Sequence, residues 1–391
     1  MLANSPPLPL IINFPNRYRD ITAEEEGIIL ALEQRDRVRR IRLRTPLPNL
    51  RKLIMAIDEE FPVLEYLIVS PPIEDTSMVL RLPETFQAPH LRHLVLAGFA
   101  LPMGSRLLAT AVGLVSFGLV VEHPSAYFRP NILLQWLSFM PQLETLQIYF
   151  FFPVPNRDVE RQLMNAPIMT HVTLSNLRLF RFKGVSAYME AVVRRVITPR
   201  LKYLDIQLFK QLTYSVPHLM QFINTTENLR FDSAIFQFSG DGVEVKLYPR
   251  EEAWMGLLVK ISCLHLDWQA SSVAQIFTSL APISSSVEHL TLKHEVHGQS
   301  SEEHNEVDRT EWHNLLRSFS NVKTLRADDG LVEELSRCLR LDDGELPVEL
   351  LPELQELTYS GRGDTGDAFK SFLDVRQNAG RPVALIVDRG D

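Results

Sequence analysis

Residues Pro141–Ile148, with the sequence PQLETLQI, have the form Pro-x-Leu-x-x-Leu-x-Ile, and this unit returns along the chain. Other copies that keep the proline are Pro62–Val69, Pro89–Leu96, Pro167–Leu174, Pro199–Ile206 and Pro352–Tyr359. Copies without it are Val38–Leu43, Leu114–Leu119, Ile261–Leu266, Val287–Leu292 and Val322–Ala327, and a degenerate copy lies near Leu229. A repeated unit of this kind predicts a chain built by stacking similar pieces.

The spacing of the units indicates what each piece contains. Their first apolar positions recur about every 29 residues, the upper end of the range of leucine-rich repeats, which leaves room for a strand, a loop and a helix. The last two apolar residues of a unit alternate with polar ones, so they share one face of a strand. Amphipathic segments such as Asn131–Phe139 and Val185–Val196 fall between the strands and predict helices. The proline ends the preceding helix, because it cannot donate the next hydrogen bond.

The sequence therefore predicts an α/β fold: a leucine-rich-repeat solenoid shaped as a right-handed horseshoe. A parallel concave sheet of about 12 strands would be backed by helices on the convex side. Residues 1–20 are rich in proline and are predicted to be an N-terminal tail or linker, followed by a leucine-rich-repeat domain at 21–391. Terminal units need polar caps. We expect a capping helix near 22–35, where Thr22 and Glu25 form a capping box, and a C-terminal cap near 366–388.

Composition restricts the class of protein. The chain is 45% hydrophobic and 23% charged, as folded soluble proteins usually are. Its two cysteines, Cys263 and Cys338, are too few for a disulfide framework, which favours an intracellular setting, cytoplasmic or nuclear. The N-terminus lacks the basic segment of a signal peptide. The longest uncharged run, Leu107–Val121, is shorter than the roughly 20 residues of a membrane helix, so we expect no membrane partner.

The concave sheet face is the predicted binding site, and the partner is predicted to be a protein. Alternate strand residues point away from the core, and tyrosine and arginine are common anchors in protein interfaces. The candidate residues on this face are Arg40, Arg42, Arg44, Tyr66, His93, Gln147, Tyr149, His171, Tyr203, Asp205, Gln207, His265, Asp267, His289, Lys293 and Arg326. The alternative is that these side chains are polar only because an exposed sheet face must be polar.

A basic cluster adds a second hypothesis. Arg35–Lys52 holds eight basic residues and one acid, and could bind phosphate or an acidic peptide, or could be a solvated capping strand. The net charge of −8 and the lack of a nucleic-acid-binding motif argue against nucleic acid.

Catalytic chemistry is not indicated. The sequence has no Gly-x-Ser-x-Gly, no phosphate-binding loop and no dinucleotide fingerprint. The polar segment that contains His294, His297 and His304 lacks the helical i, i+4 spacing of a zinc protease. Arg362–Asp364 spells Arg-Gly-Asp, which in an intracellular chain indicates a turn. We therefore predict no enzyme activity, no cofactor and no metal site.

Several separated phrases resemble the F-box/leucine-rich-repeat proteins of mushroom-forming fungi. They are Leu133–Leu137 with Pro141–Leu146, then Asn224–Leu229, and finally Arg376–Val383. In that family an N-terminal F-box docks on an Skp1-type adaptor of a cullin ubiquitin ligase while the repeats present substrate. No recognisable F-box precedes these repeats, so the resemblance implies the substrate-recognition part of such a receptor, with adaptor binding only if an F-box is present elsewhere. The alternative is a stand-alone repeat scaffold or inhibitor not linked to ubiquitination.

Overall fold

The computed structural model describes residues 8–15, 22–72, 78–102, 104–152, 171–209, 216–249, 256–263, 266–295, 309–340, 350–360 and 367–388. The contacts divide the chain into two compact units, Met1–Leu201 (unit 1) and Lys202–Asp391 (unit 2). Each unit is mixed α/β and holds strands of a mostly parallel sheet together with helices.

Unit 1 contains a parallel sheet with the strand order β1-β2-β3-β4-β5-β6-β8. Its strands are β1 (Leu10–Phe14), β2 (Val38–Arg44), β3 (Tyr66–Ser70), β4 (His93–Ala97), β5 (Ser116–Val121), β6 (Thr145–Phe150) and β8 (Leu179–Gly184). Two short strands, β7 (Val172–Thr173) and β9 (Val196–Ile197), pair with each other in a separate sheet. The helices are α1 (Thr22–Leu32), α2 (Leu47–Met55), α3 (Arg106–Thr110), α4 (Pro130–Ser138) and α5 (Ser186–Val193). Single 3-10 turns lie at Arg35–Arg37 and Pro124–Ala126.

Unit 2 has the strand order β10-β13-β12-β11-β14-β15-β16-β17. The strands are β10 (Tyr203–Leu208), β11 (Ser233–Ser239), β12 (Gly242–Tyr248), β13 (Leu257–Ser262), β14 (His289–His294), β15 (Thr324–Asp328), β16 (Glu356–Ser360) and β17 (Ala384–Asp388). The helices are α6 (Pro217–Thr225), α7 (Leu266–Ser279), α8 (Ala281–Ser284), α9 (Arg309–Arg317), α10 (Val332–Leu339) and α11 (Lys370–Asn378), with a 3-10 turn at Asp329–Leu331.

The repeat positions form the core. In the unit at Pro141–Ile148, Leu143, Leu146 and Ile148 are buried, and their counterparts in the other units that the sequence placed correctly are buried too. These units begin at Val38, Leu64, Leu91, Leu114, Leu143, Leu201, Val287, Val322 and Leu354. Burying such an apolar side chain contributes about 1.5–3 kcal/mol. Stacked rows of leucines therefore hold neighbouring strands in one register.

The prolines form part of a turn. The N–H of Leu143 donates to the carbonyl of Met140 at 3.2 Å, which encloses Pro141 in a turn of four residues. The same bond joins Leu64 to Phe61 and Leu354 to Leu351, again with a proline directly after the acceptor residue. Proline suits the second position of such a turn because its φ angle is already fixed near the required value.

Two repeat units were wrongly placed by the sequence pattern. Of the unit at Pro167–Leu174, the described residues 171–174 include β7, which lies outside the main sheet of unit 1. That sheet takes β8 instead, where Phe180 and Phe182 are buried at the positions that leucine occupies elsewhere. The strand expected at Ile261–Leu266 lies earlier, as β13, and Leu266 is already the first residue of α7. In β8 aromatic residues occupy the buried positions, so a pattern written for leucine missed this strand.

The degenerate copy near Leu229 is followed by an antiparallel hairpin. Strands β11 and β12 pair antiparallel from Ser233↔Tyr248 to Ser239↔Gly242, and β12 then pairs antiparallel with β13. The sequence had indicated parallel strands throughout. Leu10–Phe14, which the sequence placed in the tail, forms β1 and pairs in parallel with β2.

Candidate functional site

The outward side chains of β2, β3, β4, β5, β6 and β8 form what we call the open face of unit 1. Because these parallel strands are in register, their side chains stand in three rows across the sheet. The first row is Arg40, Tyr66, His93, Ser116, Thr145 and Leu179; the second is Arg42, Ile68, Val95, Gly118, Gln147 and Arg181; the third is Arg44, Ser70, Ala97, Val120, Tyr149 and Lys183.

Positive charge lies at both ends of the open face. The rows contain five lysine or arginine residues and no aspartate or glutamate. Arg40, Arg42 and Arg44 stand on β2, while Arg181 and Lys183 stand on β8. None of the three β2 arginines forms an ion pair within the described part of the chain. Their charge is therefore available to a ligand.

The middle of the open face is apolar and low. Ile68 pairs with Val95, and Val95 pairs with Gly118. A Cβ atom added at Gly118 would lie 3.2 Å from Val95 Cγ2, so the valine side chain leans over the glycine. A glycine inside a strand weakens it and often marks a site of close approach by a ligand or another backbone. Gly118 is buried, so the centre of the face is a shallow depression whose apolar surface is formed by Ile68 and Val95.

An aromatic pair lies next to the β2 arginines. The Tyr66 and His93 rings are 5.6 Å apart between centroids, tilted by 49°. Desolvation lowers the pKa of His93, and the positive charges of Arg92 and Arg40 lower it further, while Glu65 opposes them. His93 is therefore mainly neutral near pH 7, and it gains a positive charge only below its ordinary pKa of 6.5.

A second aromatic and cationic contact lies at the β8 end. Lys183 Nζ is 4.0 Å from the centroid of the Phe151 ring, a cation–π contact, and Phe151 remains 53% exposed. Burial lowers the pKa of Lys183. Tyr149 is the register partner of Lys183 on β6. Exposed aromatic residues beside a cation have the composition of an interface anchor.

A cleft of about 430 Å³ lies at the amino-terminal edge of β2, β3 and β4, beside the open face. Its lining includes Arg37, Arg39, Glu65, His90 and Arg92. Arg39 Nη2 is 2.8 Å from Glu65 Oε1, and this hydrogen bond lowers the pKa of Glu65. The charges in the cleft are thus partly neutralised, unlike those on the open face.

The outward face of the unit 2 strands differs because both charge signs are present and paired. Glu244 accepts from Lys246 at 2.5 Å and from Lys260, and Arg326 Nη2 is 2.6 Å from Asp388 Oδ2. Burial opposes ionisation of Glu244, but the two lysine hydrogen bonds outweigh it and lower the pKa. His289 Nδ1 is 2.8 Å from Thr324 Oγ1 on the next strand. This face contains fewer charges that are free to meet a ligand.

Most of the predicted site residues stand at outward strand positions. In unit 1 these are Arg40, Arg42, Arg44, Tyr66, His93, Gln147 and Tyr149; in unit 2 they are Tyr203, Gln207, His289, Lys293 and Arg326. Asp205 lies in β10 but is only 6% exposed, so it is not an accessible contact.

Two predicted site residues are not on the main sheets as expected, and a third falls on a part of the chain that the structure does not describe. His171 precedes β7, which is outside the main sheet of unit 1. Asp267 lies in helix α7, because β13 ends at Ser262. His265 lies outside the described residues. All three were assigned from the two units whose strands the pattern misplaced.

Sequence reasoning also missed Arg181, Lys183 and Phe151. The signal was present, because Phe180-Arg181-Phe182-Lys183 alternates apolar and charged residues as a half-buried strand does. Leu177, Phe180 and Phe182 match the repeat when phenylalanine is accepted in place of leucine, and all three are buried.

Comparisons with known proteins add little. No protein-family model matches the chain, and no curated protein matches it. Among solved structures, the leucine-rich-repeat-containing protein LegL7 from Legionella pneumophila is similar at 13% identity, over 77% of this chain and 85% of that chain, with a TM-score of 0.30. At so low a TM-score we base no conclusion on this likeness.

Two further features are absent from the described residues. None of the helices there has the length and apolar character needed to cross a membrane. Within the same ranges, no group of three or more His, Cys, Asp or Glu side chains could hold a metal ion. Of the polar segment considered above, His297 and His304 lie outside the described residues.

Proposed function

We propose that this chain is a leucine-rich-repeat solenoid that recognises a protein partner through the open face of unit 1. The observation that carries the proposal is that Arg40, Arg42 and Arg44, which lie along β2, form no ion pair within the described residues. Polar and aromatic residues stand beside them in register on the neighbouring strands. The proposal involves binding alone, with no catalytic step, cofactor or metal. The horseshoe curvature expected from the repeat period stays a prediction.

Rigidity supports a recognition role. Each open-face row stands on a parallel ladder whose opposite face is buried, with Ile41, Leu67 and Leu94 at 0% exposure. A binding surface fixed in advance loses little conformational entropy when a partner docks. Tyrosine and arginine, which occur at Tyr66, Tyr149 and the β2 arginines, are the residue types that most often dominate protein interfaces.

Site-specific crosslinking tests the proposed face. A photoreactive amino acid would replace Gln147, in the middle row of the open face, or Gln135, which is exposed on α4. In cells that express the protein, we expect one discrete crosslinked protein, identified by mass spectrometry, from position 147 and none from position 135. Crosslinking from Gln135 alone would contradict the proposal, because the partner would then contact the helical side.

As a finer proposal, the partner is a substrate and the chain is the recognition part of an F-box-type ubiquitin ligase receptor. The resembling phrases support it, although Leu133, Trp136 and Arg376 within them are buried and serve packing. Co-expression with an Skp1-type adaptor tests it. We expect this chain alone not to co-purify with the adaptor, since the resembling segments fall in the repeats. Stable co-purification would show that an adaptor-binding surface lies within the chain.

The second candidate is a scaffold or inhibitor that uses the same face without ubiquitination. The apolar centre of the open face, with aromatic residues towards both ends, is equally compatible with that role. The half-life of the crosslinked partner discriminates between the two. Deleting the gene should lengthen the partner's half-life if the chain presents substrate, and should leave it unchanged if the chain is a scaffold.

A further inference from the structure

We propose that the open face of unit 1 binds an extended acidic polypeptide segment that runs across the strands. Acidic groups of the segment would meet Arg40, Arg42 and Arg44 at one end and Lys183 at the other, with an apolar side chain over Gly118 between them. This inference rests on the proposed function, and it specifies the chemistry of the partner.

Charge complementarity selects an acidic partner. Outward positions of the open-face strands present no carboxylate that could compete for the β2 arginines. Complementary fields of this kind raise association rates and reject partners of the wrong sign.

The distance between the two basic ends of the open face, on β2 and on β8, determines how long the bound acidic segment must be. Strands β2 and β8 are five strand spacings apart in the sheet order, which corresponds to about 24 Å at roughly 4.8 Å per spacing. An extended chain advances about 3.3 Å per residue. Acidic groups that reach both ends at once are therefore separated by roughly seven residues.

Because the centre of the open face is apolar, we expect an apolar residue at the middle of the bound segment. Ile68 and Val95 are half-buried, and Gly118 presents no side chain, so the sheet is lowest there. An aliphatic side chain placed in the depression would cover Val95 and remove apolar surface from water, which is favourable by about 25 cal/mol per Å².

The same pattern argues against nucleic acid. A nucleic-acid strand carries a phosphate about every 3.4 Å, so its charge is evenly distributed. It would therefore place phosphates over Ile68, Val95 and Val120, where the open face has no cation. A polypeptide can instead concentrate its charge at two positions.

Synthetic peptides test the proposal directly. The probe is a fluorescein-labelled peptide with a pair of glutamates at each end, seven residues apart, and a leucine at its centre. Controls are the same peptide with glutamine for glutamate, one with the pairs three residues apart, and a single-stranded oligonucleotide of equal length. Fluorescence anisotropy gives each Kd at low and at high salt. We expect the seven-residue acidic peptide to bind at least tenfold more tightly than every control, and salt to weaken it.

Charge reversal locates the site on the full chain. Arg42→Glu and Lys183→Glu should each weaken the acidic peptide at least tenfold, whereas Arg51→Glu, on the exposed surface of α2, should change Kd less than twofold. Arg42→Gln serves as a milder variant if the reversal impairs folding. The Arg42→Glu, Lys183→Glu double variant should weaken binding of the acidic peptide more than either single variant does.

Two kinds of result would overturn the inference. It fails if the glutamine peptide or the oligonucleotide binds as tightly as the acidic peptide, or if Arg51→Glu weakens binding as much as Arg42→Glu. If no peptide binds while Gln147 still crosslinks one protein partner, the acidic segment is rejected and the proposed recognition function stands. If crosslinking at Gln147 fails as well, both are rejected.

Discussion

Gly118 leaves a gap in the middle row of the open face, where the neighbouring strands present Val95 and Gln147. Strand interiors ordinarily avoid glycine, because it loses more conformational entropy on folding than other residues. The glycine costs stability, and the shape of the open face offers a reason for it. A side chain at this point would stand where we propose that the ligand docks.

Substitutions at Gly118 test its effect on peptide affinity and its effect on stability separately. Gly118→Leu should weaken the acidic peptide about tenfold, because the new side chain fills the depression. Gly118→Ala should change the free energy of unfolding by less than about 1 kcal/mol, since the surface side chain of Val95 can shift by the few tenths of an ångström required. Anisotropy titration and urea unfolding measure the two effects. Unchanged peptide affinity in Gly118→Leu would show that the ligand does not cross the centre.

His93 gives the open face a pH dependence. Its lowered pKa leaves it mainly neutral at pH 7.5, and it gains a proton as pH falls through that pKa, among Arg40, Arg92, Glu65 and Tyr66. An acidic ligand stabilises the protonated form, so its affinity should rise between pH 7.5 and 5.5, where glutamate with an ordinary pKa near 4.3 stays ionised.

The control for this pH dependence is His93→Gln, which should flatten the Kd profile. The stability effect has the opposite direction. Because folding lowers the pKa of His93, its contribution to stability is complete above the ordinary pKa of 6.5 and is lost as pH falls toward the folded value. If the native chain binds the acidic peptide equally at pH 7.5 and pH 5.5, His93 does not belong to the binding face.

At the scale of elements, the sequence predicted most of the strands in which leucine, isoleucine or valine fills the buried positions, and it placed β13 too late in the chain. β3, β4 and β6 lie where Pro-x-Leu-x-x-Leu indicated, because the proline turn and the leucine pair act locally. β8 was missed since phenylalanine replaces leucine there. The hairpin of β11 and β12 was missed because antiparallel pairing depends on contacts between distant residues, which a repeat pattern does not encode. The same reason applies to the candidate site. The sequence predicted its residues on β2, whereas it missed those on β8, because that strand itself was missed.

Gly256 tests the antiparallel part of unit 2. It directly precedes β13, and a Cβ atom there would lie 2.0 Å from the backbone oxygen of Leu247 on β12. Backbone cannot move aside as a flexible side chain can, so Gly256→Ala should lower the free energy of unfolding by at least about 2 kcal/mol. Gly240→Ala is the matched control, because nothing lies within 4 Å of its added Cβ. Equal unfolding midpoints in urea for the two variants would contradict the close β12–β13 approach.

At the scale of the whole molecule, repeat proteins are stabilised by contacts between neighbouring units, so a local change should stay local. The C-terminal part of unit 2 provides the test. Arg376 on α11 is 1% exposed and donates from Nη2 to the carbonyls of Pro352 at 3.2 Å and Leu354 at 3.1 Å. Arg381 Nη1 donates to the same Pro352 carbonyl at 3.1 Å. Two arginines thus hold the proline turn that leads into β16.

Arg376→Ala should lower the stability of this region by about 2–4 kcal/mol, because buried carbonyls lose charged donors and a cavity opens. Hydrogen exchange measured by mass spectrometry should then show faster exchange in β16 and β17, with β2 to β6 unchanged. Arg381→Ala, at an exposed site, should have a smaller effect in the same strands. If exchange accelerates equally in β2 to β6, the chain unfolds as one cooperative body, and the nearest-neighbour view of its stability is wrong.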